Sequence, residues 1–364
     1  MHIINVPNVN DALRVGIAYM KNEGTLDKSR NGDVLAAPGP VVTVYNHPCQ
    51  RVLFNPVRDA NPYFHLMESL WMLAGRNDVE FVKYYASRMG EFSDDGTILH
   101  GAYGFRWRAA VGFDQLPVII EELKENPKSR RCVLQMWDSS DSYSEGTSDL
   151  LRAVRLGKDV PCNTHAYFDT VGGKLNMTVC CRSNDVIWGA YGANAVHFSF
   201  LLEYVARSAS LPIGEYRQFS NNYHIYVDRP DVVKLLQADE IYYKAFQSQR
   251  DIYQDHYAMP NYSTAPPTAA VFPLMQNGEQ GRFDADLAMF FRLWRASPTN
   301  HIQAPHFHEP FFAQVVVPLH EAYQRYKRED LHGAMRAAAQ IEATDWKLAC
   351  TQWLERRIAK REGK

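Results

Sequence analysis

A proline–cysteine pair, Pro161-Cys162, is followed by Arg182-Ser183-Asn184-Asp185 and then by His224-Ile225-Tyr226. These three groups supply what one reaction needs. A thiol becomes a nucleophile when a nearby cation stabilises its thiolate. Guanidinium forks bind phosphate oxygens in pairs. A His/Tyr pair can orient a sugar hydroxyl. By itself Cys162 reads as a small buried residue, the usual fate of a free thiol. Arg182 and other cations change that reading, because they would favour the thiolate. Arg130-Arg131, directly ahead of a strand, and Arg30, in a glycine loop, are further phosphate candidates. Glu68 interrupts an otherwise apolar helix face, where a carboxylate costs several kcal/mol unless it is paired or protonated. It is therefore either a rim residue reaching solvent or a general acid/base.

Other candidates carry less. His301, His306 and His308 match no strong metal-ligand spacing, and Pro305 and Pro310 interrupt any helix there, so no metal is expected. Cys180 and Cys181 are adjacent in a strand and point to opposite faces. Gly189-Ala190-Tyr191-Gly192 lacks the lysine of a phosphate-binding P-loop.

The elements that must position these residues can be read from periodicity and breakers. Helices are expected at Val9–Lys21, from Asn61-Pro62 to Gly75, at Pro117–Glu125 and at Ala195–Ser208. Strands are expected at Val41–Tyr45, Cys132–Met136 (buried) and Tyr223–Val227, with a hairpin of Ala166–Val171 and Leu175–Cys181 around Gly172-Gly173. Loops are expected at Asp27–Pro40, Gly101–Arg108, Ser139–Ser148 and, rich in proline, Ala258–Pro273. Helical patterns return at Leu287–Leu293, Ala322–Arg328 and Leu331–Ile358. Strands and helices interleave without a βαβ repeat, so the fold class is α+β. Residues 1–240 read as a catalytic domain and 241–364 as a loop-rich, then helical, C-terminal extension.

A net charge of −2 offers no global basic field for nucleic acid. Aromatic residues at 12% favour a packed enzyme-like body. Six cysteines without a CxxC suggest reduced thiols, hence a cytoplasmic location or the host cytoplasm for a viral chain. No apolar run is long enough for a membrane span, and the first residues do not resemble a signal peptide.

Taken in order, the motifs resemble the thymidylate synthase family, which includes the pyrimidine nucleotide hydroxymethylases. Ser129-Arg130-Arg131 resembles its SRR, whose arginines reach the phosphate of the partner subunit's substrate. Pro161-Cys162 resembles its nucleophile, and Arg182-Ser183-Asn184-Asp185 its RSxD motif. The resemblance puts Arg182 and Ser183 on phosphate and Asp185 on the folate pterin, beside Trp188 and Gly189. His224 and Tyr226 match the pair on the deoxyribose 3′-hydroxyl. Glu68 sits in the helix of the catalytic glutamate, Tyr103 in a YGxxWR loop of the proton-transfer network, and Arg30 in the mobile phosphate loop.

The resemblance implies a mixed β-sheet flanked by helices, a homodimer, a pyrimidine nucleoside monophosphate substrate and 5,10-methylenetetrahydrofolate as co-substrate. Cys162 would attack C6 of the ring, so that C5 captures a one-carbon unit. Three departures bear on the last step. The chain runs on through residues 241–364 instead of closing with a short apolar tail. Met89 and Phe92 stand where synthases place folate-pocket tryptophans, and Asn163 replaces the histidine after the nucleophile. All three touch hydride transfer, so water is expected to finish the reaction and give a 5-hydroxymethyl nucleotide. A methylating synthase is the nearest alternative, a dCMP hydroxymethylase another, and a non-catalytic binding protein on the same scaffold a third. Asn194 resembles the amide that reads uracil, provided one residue is inserted between Gly189 and Asn194; otherwise Ala193 takes that place and the reader is missing. Asn194 also suits an N-cap for the helix starting at Ala195.

Overall fold

The structure is a computed structural model that describes residues 1–139, 148–155, 157–237, 253, 269–276, 278–296 and 306–363. The expected loop at 140–147, most of 258–273 and His301 lie outside the described residues.

The first half lays down β1 (His2–Val6), α1 (Val9–Glu23), β2 (Thr25–Ser29), β3 (Gly32–Ala36) and β4 (Val41–Tyr45), then α2 (Pro62–Leu73), α3 (Val79–Tyr85), α4 (Tyr103–Arg108), α5 (Gln115–Glu125) and β5 (Val133–Gln135). There follow α6 (Asp149–Val154), β6 (Asn163–Val171), β7 (Lys174–Cys181), β8 (Asn184–Asp185), a π-helical segment (Val186–Asn194), α7 (Ala195–Ser208), β9 (Ile213–Ser220) and β10 (Tyr223–Tyr226). The C-terminal region contributes α8 (Gln280–Ala296), α9 (Val317–Lys327), α10 (Leu331–Ala338) and α11 (Thr344–Arg361). A mixed six-stranded sheet runs β1-β4-β9-β7-β6-β5, and a smaller one β2-β3-β10-β8.

Local chemistry explains the ends of these elements. Asn61 caps α2 by accepting the Phe64 N–H, Pro62 occupies the first turn where its missing N–H costs nothing, and Gly75 follows at φ +68. Gly172 and Gly173 both adopt positive φ (61 and 76), the requirement of the two-residue turn joining β6 to β7.

Several expectations need correction. Asp27–Pro40 is not a loop: β2 and β3 form a hairpin with Arg30-Asn31 at its tip. Gly101–Arg108 is not open loop, since Tyr103–Arg108 is helical; a Cβ on Gly104 would collide with the Met72 carbonyl, so only glycine lets α4 lie this close to α2. The strand at Cys132–Met136 is shorter and only half-buried, with Val133 and Gln135 facing outward at the sheet edge. Leu331–Ile358 is two helices, α10 and α11. β1 and β9 carry no expectation from sequence, yet β9 is central, paired with both β4 and β7.

Helices α2 and α7 lie between two layers, and nearly every residue in them is buried. On one side is the large sheet. On the other are the C-terminal helices, joined through rings: Tyr63 meets Trp353 edge-on at 5.4 Å, and Phe200 meets Phe311 and Trp346 at 6.3 and 6.2 Å. Among the described residues, no element covers the far face of the large sheet. Its register aligns Ile3, Val42, Phe219, Cys180, His165 and Gln135 in one row, all partly or fully exposed.

Candidate active site

Cys162 stands half-buried at the head of β6, immediately after buried Pro161. A β-bulge between Asn163 and His165 shifts the β6–β7 register by one, which brings residue 162 beside residue 182. The Arg182 backbone N–H donates to the Cys162 carbonyl (2.8 Å). Its guanidinium donates to the Pro161 and Val160 carbonyls (3.0 and 3.2 Å) and lies 3.8 Å from Cys162 Sγ. The expected electrostatics are only half present. Burial raises the Cys162 thiol pKa; Arg182 and Arg30 pull it down and Asp159 pushes it up, and burial prevails. The cations moderate the thiol without making it a resting thiolate.

Tyr103 is held against this corner. The backbone N–H groups of Cys162 and Asn163 both donate to its hydroxyl oxygen, at 3.0 Å each. Burial places its pKa well above the ordinary phenol value, so it remains a neutral hydroxyl. The loop before it is fixed by Asp159, whose carboxylate accepts from the Gly101 N–H (2.7 Å). Asp159 drew no attention as an isolated acid in a charged stretch.

Glu68, on α2, is not a rim residue; it is buried and its Oε2 lies 3.0 Å from Nε2 of buried His197 on α7. The two groups are close but poorly aligned, which leaves His197 Nε2 without a hydrogen bond. His65, one turn before Glu68, is also buried; desolvation, then Arg58 and His197, keep it neutral. His197 escaped notice because it occupies an apolar helix, where a lone histidine is ordinarily core.

Asp185 caps the π-helical segment: its Oδ1 accepts from the Ile187 and Trp188 N–H groups at 2.8 and 2.6 Å, while Oδ2 is buried and unpartnered. Burial raises its pKa and lowers that of His224, its neighbour across the β8–β10 pair. His224 Nδ1 is 2.7 Å from Asn222 Oδ1, and its ring meets Tyr226 edge-on at 5.1 Å. Arg229, also missed, lies over the rings of both Trp188 and Tyr226, at 5.1 and 5.0 Å. The hairpin tip reaches this side, since Asn31 Nδ2 donates to the Tyr226 hydroxyl at 3.5 Å. Arg30, exposed beside it, is close enough to act on the Cys162 thiol.

Asn194 is not an N-cap. It continues the π-helical segment into α7, and its side chain makes no capping bond. Its carboxamide instead accepts from Asn163 Nδ2 (3.2 Å) and donates to Asn184 Oδ1 (3.1 Å). Gly189 backs onto this pair: a Cβ there would lie 2.8 Å from Asn184 Oδ1. A π-helical turn takes up an extra residue relative to an α-turn, which is how Asn194 arrives beside Asn163.

The fold thus gathers Cys162, Asn163, Arg182, Tyr103 and Asn194, with Asp185, His224, Tyr226 and Trp188 forming a neighbouring wall and Ser183 half-buried between them. Other candidates stand apart. Arg130 and Arg131 are exposed and form no ion pair within the chain among the described residues. Met89 lies in a short 3₁₀ turn and Phe92, half exposed, just after it; neither has a hydrogen bond or ring contact to Asp185 or Trp188. His308 pairs with Asp286 (2.8 Å) and His306 is exposed. Among the described residues no His/Cys/Asp/Glu group is arranged to hold a metal, and no helix is long and apolar enough to cross a membrane.

A thiol, a phenol and a pair of amides thus meet at one corner of the fold. The family model for thymidylate synthase matches residues 57–262. A deoxyuridylate hydroxymethyltransferase of Pseudomonas phage M6 is 44% identical over 99% of this chain and 95% of its own length. One of Bacillus phage SP01 is 37% identical over 55% of this chain and 54% of its own. A thymidylate synthase of Symbiobacterium thermophilum is 30% identical over 53% of this chain and 66% of its own. The chain belongs to the thymidylate synthase family, whose members are folate-dependent enzymes.

Proposed function

We propose that this enzyme transfers a hydroxymethyl group to C5 of dUMP. The observation that carries the reading is the 44% identity to the phage M6 deoxyuridylate hydroxymethyltransferase, which continues through the C-terminal helices instead of stopping at the family domain. Cys162 adds to C6 of uracil, and Arg182, Ser183 and Arg30 take the phosphate. His224 and Tyr226 take the 3′-hydroxyl, and Asn194 faces N3 and O4 of the base. Glu68 and Tyr103 move protons. Methylenetetrahydrofolate supplies the one-carbon unit at C5. The residues at hand suit its pterin: Asp185 offers a buried oxygen with no partner of its own, matched to an N–H donor, and Trp188 a half-buried ring. Asn163 and the absence of tryptophans at Met89 and Phe92 favour water over hydride in the last step. The exposed row on the large sheet, and Arg130 and Arg131 with no ion pair among the described residues, support a homodimer in which each subunit lends these arginines to the other's phosphate.

Incubation with dUMP and methylenetetrahydrofolate tests the reading. Mass spectrometry is expected to show a hydroxymethyl adduct with no dihydrofolate absorbance. A methyl product with equimolar dihydrofolate would make it a thymidylate synthase, and conversion of dCMP alone would remove Asn194 as a uracil reader. Cys162→Ala is expected to abolish tritium release from dUMP labelled at C5; a parent protein that releases none is not this enzyme. Sedimentation at micromolar concentration is expected to give a dimer, and a monomer would refute the shared arginines.

A further inference from the structure

Buried hydrogen bonds continue in both directions from the Asn163–Asn194 contact. The Tyr216 hydroxyl donates to Gln218 Oε1 (2.8 Å), and Gln218 Nε2 to Asn163 Oδ1 (3.4 Å). Asn163 Nδ2 donates to Asn194 Oδ1 (3.2 Å), and Asn194 Nδ2 to Asn184 Oδ1 (3.1 Å). Asn184 Nδ2 closes the file on Ser220 Oγ (2.9 Å). All six side chains are buried, and the four carboxamides point the same way.

An amide has two lone pairs and two N–H groups, and its sense is set by its neighbours. The file uses one lone pair and one N–H of Asn194, leaving one of each for a ligand. Asn194 cannot turn over alone. Its oxygen would then face the Asn184 oxygen and its N–H₂ the Asn163 N–H₂, breaking both joints in a buried place. The sense of the file reverses as a whole or not at all.

We propose that the polarity of this amide file, not Asn194 by itself, selects the pyrimidine base. The inference rests on the reading of Asn194 as the base-facing amide. Uracil presents an N3–H donor beside the O4 acceptor. Cytosine presents a bare N3 acceptor beside an amino donor, so it needs the amide turned over. The polarity found in the structure serves uracil, and the reversed polarity serves cytosine. Residues that never touch the base, Gln218 and Asn184 among them, then take part in choosing it.

The same chemical change on either side of Asn194 gives opposite predictions. A carboxylate only accepts. Asn184→Asp still accepts from Asn194 Nδ2 and from the Ser220 hydroxyl, so the polarity is kept. Asn163→Asp must accept from Asn194 Nδ2, which reverses it. Gln218→Glu must accept from Asn163 Nδ2, which also reverses it from a position further from Cys162. Calorimetric Kd values for dUMP and dCMP without folate, measured up to pH 9 so that the introduced carboxyl ionises, give the base preference independently of turnover. Asn163→Asp and Gln218→Glu are expected to move the dCMP/dUMP preference at least tenfold toward dCMP, and Asn184→Asp to leave it within about threefold. Equal shifts on both sides, or none on either, would overturn the proposal. Gln218→Glu decides alone if Asn163→Asp does not fold. A parent protein that forms no hydroxymethyl nucleotide defeats the functional reading, whereas the binding ratios still decide the file.

Discussion

The two sides of the α2–α7 layer are built on different principles. Toward the sheet, neutral amides and hydroxyls satisfy one another, while Asp185 Oδ2 and His197 Nε2 are buried with no partner. Toward the C-terminal helices the seam is aromatic: Tyr63, Tyr323, Tyr326 and Trp353 meet tilted or edge-on with centroids 4.9 to 6.3 Å apart. Hydrogen bonds from Tyr323 to the Tyr85 carbonyl (2.9 Å) and ion pairs from Arg356 and Arg357 to Asp59 fasten it. Buried polar atoms without a partner occur on both sides, Trp353 Nε1 and His320 Nε2 on the second, each at a cost in stability; what sets the first side apart is its file of amides. The second supplies stability from ring burial. The difference sets out a division to be tested: an amide-lined side for the chemistry and an aromatic side for stability.

Four substitutions test that division, beginning with the largest effect. Glu68→Gln is expected to lower kcat/KM by roughly 10²- to 10⁴-fold with little change in melting temperature. A large fall in melting temperature with activity retained would move Glu68 to the structural side. Trp353→Ala empties the centre of the seam and is expected to cost about 3–5 kcal/mol of stability, read by denaturant titration. Its kcat at low temperature is expected to stay within a few-fold of the parent. Loss of kcat in a stable Trp353→Ala protein would put the extension in the chemistry. Arg182→Ala removes the strongest influence lowering the Cys162 pKa. The thiolate then forms at higher pH, and the pH profile of Cys162 alkylation by iodoacetamide, followed by peptide mass, is expected to move upward. An unmoved profile would mean that the guanidinium only braces the Val160 and Pro161 carbonyls. Arg356→Ala breaks a partly exposed ion pair and is expected to cost less than about 1 kcal/mol in the same titration; a larger loss would make charge, not aromatic packing, the fastening of the seam.

What the sequence disclosed follows the same line. Motif residues on strands and helix ends were legible because their types are chemically unusual in place: a cysteine after proline, an arginine beginning RSxD, a glutamate on an apolar helix. The helices α1, α2, α5 and α7 were legible from apolar periodicity and caps. β9 was not, and its burial shows why. Its inward positions are Gly214, Tyr216, Gln218 and Ser220, so the alternation that marks a half-buried strand is missing from the side that matters. The polar residues that hide the strand are those that complete the amide file. His197 was hidden for the opposite reason, a polar residue inside so apolar a helix that the surrounding pattern absorbed it. The hairpin at Arg30 was hidden by turn-forming residues that read equally well as loop.

The place of β9 in the large sheet also bears on how the molecule comes into being. It joins β4, more than 160 residues earlier, to β7, and β4 carries β1 on its other edge. Contacts so distant in sequence form slowly, because the intervening chain must be ordered before they give any return. Three members of the amide file, Tyr216, Gln218 and Ser220, arrive only with that strand. The helices can therefore be in place while the amide file is still incomplete, and nucleotide binding is expected to return after the helical signal when the protein is diluted from denaturant. Simultaneous recovery of the two signals would show that β9 docks early. In refolding, the amide file would then be a late acquisition of an already largely helical body.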